Sequence, residues 1–235
     1  MAYELFYWPG IQGRGEFVRL ALEEAGADYV DVARREGGME LMLAALESGS
    51  QPAFAPPFLR AGEATIGQVA NILLYLGERH GLAPRSDPGR LWVHQLQLTI
   101  ADLVAEIHDT HHPISTSLYY EDQKPEAQRR AADLVETRLP KFFGYFSRLL
   151  TNPMPRDWLA GDRPSYADLS LFQVVDGLRY AFPNAMKRLE GEYPALAALH
   201  ARVAARPNIA AYLASPRRIP YNQNGIFRHY PELDE

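Results

Sequence analysis

The 235-residue sequence contains no cysteine, which rules out disulfides, thiolate metal sites and a cysteine nucleophile. It has no run of about 18 uncharged apolar residues, the length a bilayer demands, so no membrane span is expected. It also lacks an excess of positive charge. The 24 Lys and Arg stand against 29 Asp and Glu, a formal net charge of −5, whereas general nucleic-acid binding needs a basic surface. The opening residues Met-Ala-Tyr-Glu-Leu carry neither the basic nor the apolar region of a secretory signal. The expectation is a cytoplasmic protein with no nucleic-acid or membrane partner. With 47% hydrophobic and 23% charged residues, the chain suits one or two globular domains with real cores.

What is present falls into two unlike halves. Residues 4–8 form a short apolar and aromatic run that reads as a strand, broken by Pro9 and Gly10. Residues 16–25 carry apolar side chains at Phe17, Leu20, Ala21 and Ala25, helical spacing closed by Gly26. A second strand is expected at 29–32 and a short helix at 39–46. Pro56 and Pro57 then open the run Phe58-Leu59, Gly62 supplies a hairpin turn, and Val69, Ile72, Leu73 and Leu76 give a third helix. Residues 83–89 are rich in turn formers and read as a linker. Beyond them every segment reads as helix: 91–111, 126–150 with Pro140 as a kink, 165–175, 193–205 and 208–213. About 20 residues after Pro216 look irregular, with aromatics placed to fold back over a surface.

The order of strand, helix, strand, helix, hairpin and helix is thioredoxin-like, and specific residues sharpen that reading. Pro57-Phe58-Leu59, Gln68-Val69 and Ile72-Leu-Leu-Tyr75-Leu76 resemble the glutathione-site half of soluble, cytosolic-type glutathione S-transferases. There the pattern runs x-Pro-x-Leu, a turn, Gln-Ser at a helix start, then Ile-x-x-Tyr-Leu. Tyr7-Trp8-Pro9 followed by Gly13-Arg14 resembles the Tyr-aromatic-Pro stretch of the tyrosine-type members (sigma-, pi- and mu-like), with one residue inserted. Ala101-Asp102-Leu103-Val104, the motif from Gly161 to Asp168 and the stretch 206–213 extend the likeness to nearly the whole chain. The resemblance implies an α/β thioredoxin-like N-terminal domain at 1–82 that binds glutathione. It also implies an all-α C-terminal domain at 90–235 that contributes the second-substrate pocket.

The resemblance assigns roles by position. Tyr7 is the catalytic residue, its hydroxyl donating to the glutathione sulfur. Arg14, Pro56, Gln68, Val69 and Asp102 are the glutathione-binding residues, with Asp102 reaching the γ-glutamyl amine of the neighbouring subunit in a homodimer. Glutathione is the co-substrate, and a small apolar electrophile the second partner. Acidifying a thiol of pKa ~8.5 by roughly two units raises the thiolate about 25-fold, but lower basicity costs about 8-fold in nucleophilicity, a net gain of about threefold. Proximity and orientation must therefore supply the larger share.

Two positions depart from the family pattern. Val69 stands where the serine hydroxyl meets the γ-glutamyl carboxylate, a loss of about 1.5–3 kcal/mol. Pro56 has no N–H to give the cysteinyl segment, a loss of about 0.5–1.5 kcal/mol. Together these amount to a factor of about 30 to 2,000 in affinity. Unless other contacts compensate, glutathione binds weakly. A non-catalytic transferase-like binding protein, or a glutathione-dependent peroxidase or isomerase, are the alternatives.

Three further features read as structural. Ser165 and Asp168 have capping-box spacing and are assigned to stability. Gly10, Gly13 and Gly15 give G-x-x-G-x-G, the reverse of the dinucleotide fingerprint, with no further βαβ units behind it. His108, His111 and His112, with Asp109, fall at ligand spacing on a helix. The expected reading is a polar helix end that, with Tyr119 and Tyr120, borders the second-substrate pocket, and no metal is expected.

Overall fold

The computed structural model describes residues 2–234. Its first part is β1 (Tyr3–Phe6), α1 (Gly15–Glu24), β2 (Tyr29–Asp31), α2 (Gly38–Leu46), β3 (Phe58–Ala61), β4 (Ala64–Gly67) and α3 (Val69–His80). The strands form one mixed sheet in the order β2-β1-β3-β4, parallel at β1–β2 and antiparallel elsewhere. Leu5, Leu59 and α1 residues Phe17, Leu20 and Ala21 pack with Ile72, Leu73 and Leu76 of α3, all fully buried or nearly so. The sheet thus presses both helices against one face. Val32, Met42 and Phe58 form a smaller core on the other side. This is the expected α/β thioredoxin-like arrangement, followed by an all-helical remainder.

The helical part holds α4 (Asp87–His108), α5 (Lys124–Asp133), α6 (Leu139–Thr151), α7 (Tyr166–Ala181), α8 (Pro183–Glu192), α9 (Pro194–Ala204) and α10 (Pro207–Leu213). Helix α7 lies at its centre, buried on nearly every side. Among the described residues no helix is long and apolar enough to cross a membrane.

Several boundaries differ from expectation, each for a local reason. Strand β1 stops at Phe6, so Tyr7 follows the strand. Helix α4 starts within the stretch read as linker, because the Ser86 hydroxyl accepts the Gly89 N–H and Pro88 sits in the first turn, where its missing N–H does no harm. The same helix ends at His108, so His111 and His112 lie in the turn beyond it. Pro140 does not break its helix. A π-helical turn at Leu134–Arg138 widens the backbone just ahead of it, and Arg138 clamps that turn to Glu106 of α4 with bonds of 2.8 and 2.6 Å. Helix α7 runs on to Ala181, and α8 was not foreseen.

Halves are joined by buried charge. Arg19 of α1 bonds Asp31 at 2.7 Å and Glu16 at 3.2 Å, all but out of reach of water. Glu16 also accepts from Tyr212 at 2.6 Å and from Arg218. Arg218 continues to Gln173 and Asp176 of α7, and Asp176 accepts from Tyr221 and contacts His200. The segment after α10 therefore folds back over the structure, burying Ile219, Ile226, Phe227 and Leu233. Tyr221 stacks on Tyr180, Tyr230 stacks on Tyr120, and Phe227 occupies the space beside Gly177.

Candidate functional site

A cavity of about 510 Å³ opens between the two halves. Four walls enclose it: the start of α1, the loop through Pro56 and Pro57, the first turn of α3, and one face of α4. The peptide bond between Pro56 and Pro57 is cis. Arg14, Pro56, Gln68 and Val69, each singled out in the sequence, all line this one space.

The first turn of α3 is the distinctive wall. Gln68 precedes it at φ 67°, the only non-glycine residue with positive φ among those described. No side chain caps the helix, and its first internal bond runs from Ile72 N–H to the Gln68 carbonyl. The N–H groups of Val69, Ala70 and Asn71 therefore lack helical partners, as first-turn groups must. With the helix dipole they make an anion site. Arg14, the one guanidinium in the lining, shares the cavity with it.

Helix α4 contributes what the sequence did not reveal. His94 and Gln97, one turn apart, both line the cavity. Gln97 is 1% exposed, yet its Oε1 has no hydrogen-bond partner, and neither has His94 Nδ1. Buried polar atoms without partners are uncommon, and two on one face of one helix mark a surface prepared for a ligand. The only sequence signal was a polar pair on an otherwise apolar helical stripe.

Tyr7 and Asp102 are placed differently. Tyr7 is buried, and its ring is covered by the loop that carries Arg14. A Cβ on Gly13 would come within 2.1 Å of the Tyr7 hydroxyl, and one on Gly15 within 2.4 Å of the ring, so both positions must be glycine. The hydroxyl accepts the Arg14 backbone N–H at 2.8 Å. Among the described residues nothing takes the hydroxyl's own proton. Burial raises the phenol pKa, only partly offset by that Arg14 bond, so Tyr7 is a proton-bearing donor at neutral pH. Asp102 is exposed on α4 beside the cavity residues Leu98 and Ala101, outside the lining. The structure brings four of the six residues to the cavity, leaving Tyr7 behind its rim and Asp102 on the outer surface.

The histidines cluster at the far end of α4. His108, His111 and His112 each offer a ring nitrogen, and these lie within 4.8 Å of one another. Burial, helped by Arg14 and Arg228, lowers the His108 pKa to about 4 and that of His111 to about 3. Tyr119 and Tyr120 do not join them as expected. Tyr119 is 78% exposed, while Tyr120 is buried and bonds Glu232 at 3.0 Å.

Comparisons with known proteins converge. Residues 108–216 match the family model "Glutathione S-transferase, C-terminal domain". The chain is 31% identical over 174 residues to "Glutathione S-transferase P" of Caenorhabditis elegans, covering 72% of this chain and 75% of that one. It is 26% identical to "Glutathione S-transferase" of Dirofilaria immitis, covering 96% and 99%. The fold is similar to a prostaglandin synthase D of Nilaparvata lugens, with TM-score 0.73 and 20% identity over 94% of this chain and 100% of that one.

Proposed function

Because the chain belongs to the glutathione S-transferase family, we propose that it joins the thiolate of glutathione, its co-substrate, to small apolar electrophiles as a cytoplasmic detoxifying homodimer. The observation that carries this reading is the uncapped start of α3 sharing with Arg14 the lining of one cavity of about 510 Å³. An anionic, extended thiol peptide fits that chemistry.

In this reading residues 1–82 hold glutathione and residues 90–235 supply the second-substrate pocket. The γ-glutamyl carboxylate sits on the N–H groups at the start of α3, beside Gln68. The Pro56 carbonyl accepts from the cysteinyl N–H. Tyr7 donates its free proton to the sulfur, which requires the Gly13–Gly15 loop to admit the thiol. Gln97 Oε1, an acceptor, takes an N–H of the peptide, and His94 Nδ1 adds a second polar contact, since neither atom has another partner; these are new contacts and do not replace the donors missing at Val69 and Pro56. Asp102 serves the γ-glutamyl amine of a second copy. Phe54, 97% exposed in the loop before the two prolines, and Leu98, 48% exposed on α4, support such a copy.

Calorimetric titration with glutathione tests the core of this. One site per chain is expected, together with conjugation of a small reactive electrophile. A folded protein that gives no heat with millimolar glutathione would overturn it. Sedimentation at micromolar concentration tests the dimer, and a fully active monomer would remove Asp102 from the site.

A further inference from the structure

We propose that His108, His111 and His112 bind one divalent first-row transition metal ion, of the zinc type, at the C-terminal end of α4. The geometry of His111 carries this. Its ring is 1% exposed, and Nε2 lies 2.8 Å from the Ile226 carbonyl. A carbonyl can only accept, so Nε2 carries the proton and Nδ1 is a bare lone pair. That Nδ1 is buried and has no hydrogen-bond partner. A histidine whose one nitrogen donates to a backbone carbonyl while the other is left open is the arrangement found behind metal ligands.

The other two rings complete the set. His108 and His112 stack with centroids 5.1 Å apart, and both stand edge-on to His111 at 5.0 and 4.9 Å. Gln123 Nε2 approaches His112 Nδ1 only to 3.5 Å, too long to hold the ring. Nitrogens sharing a tetrahedral ion at about 2.0–2.1 Å stand about 3.3–3.4 Å apart, so the present spacing of up to 4.8 Å must close by rotation of the two partly exposed rings, His108 and His112.

The charges nearby are mixed. Arg14 and Arg228 repel a cation, and Asp109, 3.9 Å from His108 Nδ1, attracts it. An all-imidazole set between two guanidinium groups favours zinc, nickel or copper over magnesium or calcium. Three protein ligands leave a fourth position open, as in zinc sites that handle water or substrate. The spacing alone read as a polar helix end, because it does not reveal that His111 is turned inward and bonded on its other nitrogen.

The test uses the full chain, stripped with a chelator and dialysed against zinc chloride or cobalt chloride. One zinc per chain is expected after dialysis, and the visible absorption bands of four-coordinate cobalt. His108→Asn and His112→Asn should each weaken zinc binding by more than the roughly 10- to 100-fold that loss of an outer-shell partner costs. His80→Asn, in the other half, should leave it unchanged. Both ligand variants alter partly exposed rings, and thermal melts monitored by circular dichroism establish that they fold. The proposal fails if the parent retains no zinc, or if the His108→Asn/His112→Asn double variant retains as much as the parent.

Discussion

Helices α3 and α7 begin in opposite ways although they touch. At α7 the start is capped by the chain itself. The Asp168 carboxylate accepts from Ser165 N–H and Oγ at 2.7 Å and from Leu159 N–H at 2.8 Å, and Tyr166 N–H reaches the Leu82 carbonyl. At α3 the first-turn N–H groups face a cavity, and Gln68 holds an uncommon backbone angle to present them. Gly77 of α3 lies so close to the Tyr166 ring that an added Cβ would come within 2.6 Å. The closed helix start thus supports the back of the open one. A helix N-terminus completed by its own chain contributes stability, and one left incomplete is available to a ligand.

Breaking the closed start should have the largest effect. Asp168→Ala strips two buried N–H groups and a hydroxyl of their acceptor, a loss of about 3–9 kcal/mol at 1–3 kcal/mol per buried group. Urea unfolding measures it, and glutathione affinity per folded molecule should stay near the parent value. A variant as stable as the parent would mean that the cap is not needed.

Tyr7→Phe comes next and separates acidifying from orienting roles. Thiolate acidification alone predicts a few-fold loss of rate, whereas an orienting donor predicts roughly 10²-fold. The structure adds that the variant also orphans the Arg14 N–H, a stability loss of about 1–3 kcal/mol. Rates must therefore be taken per folded enzyme, across a pH profile. Profiles that overlay at every pH would dismiss Tyr7.

Val69→Ser should close the open start in the manner of a ligand site rather than a cap. Glutathione affinity is expected to rise by up to about 1.5–3 kcal/mol, read by calorimetry. Stability should fall by no more than about 1 kcal/mol, because Val69 is only half buried. An unchanged affinity would mean that the γ-glutamyl carboxylate does not sit at the start of α3.

The smallest effect concerns acid. Burial opposes ionisation of Asp176, but His200, Tyr221 and Arg218 together outweigh it and lower its pKa. Its contribution to stability is complete above about pH 4, the unfolded carboxyl value, and is lost as pH falls through the lower folded one. Asp176→Asn should flatten that part of the acid-denaturation curve. The slope remaining unchanged would place the acid sensitivity elsewhere.

Local chemistry was legible in the sequence wherever it was local in the chain. The strand and helix periods, the hairpin at Gly62 and the Ser165–Asp168 cap follow from neighbours in sequence, whereas the four cavity residues near α3 and α1 were picked out only by resemblance to the family motif. The end of α7 and the whole of α8 did not, because α7 is buried all round and shows no polar face to mark its length. Gln97 and His94 were invisible for a related reason: an unpartnered atom is known only once every possible partner has been placed. The inward turn of His111 depends on Ile226, 115 residues away.

The charge network between the halves has a consequence for synthesis. Glu16, 0% exposed in the finished protein, meets Arg218 across 202 residues of chain. At roughly 5–20 residues per second on the ribosome, the first half waits on the order of 10–40 s before Arg218 is made. Until then the Glu16 side chain has Arg19 but not its later partners, and the surface destined for α7 stands bare. The buried charge network of the first half is therefore complete only when nearly all of the chain has emerged.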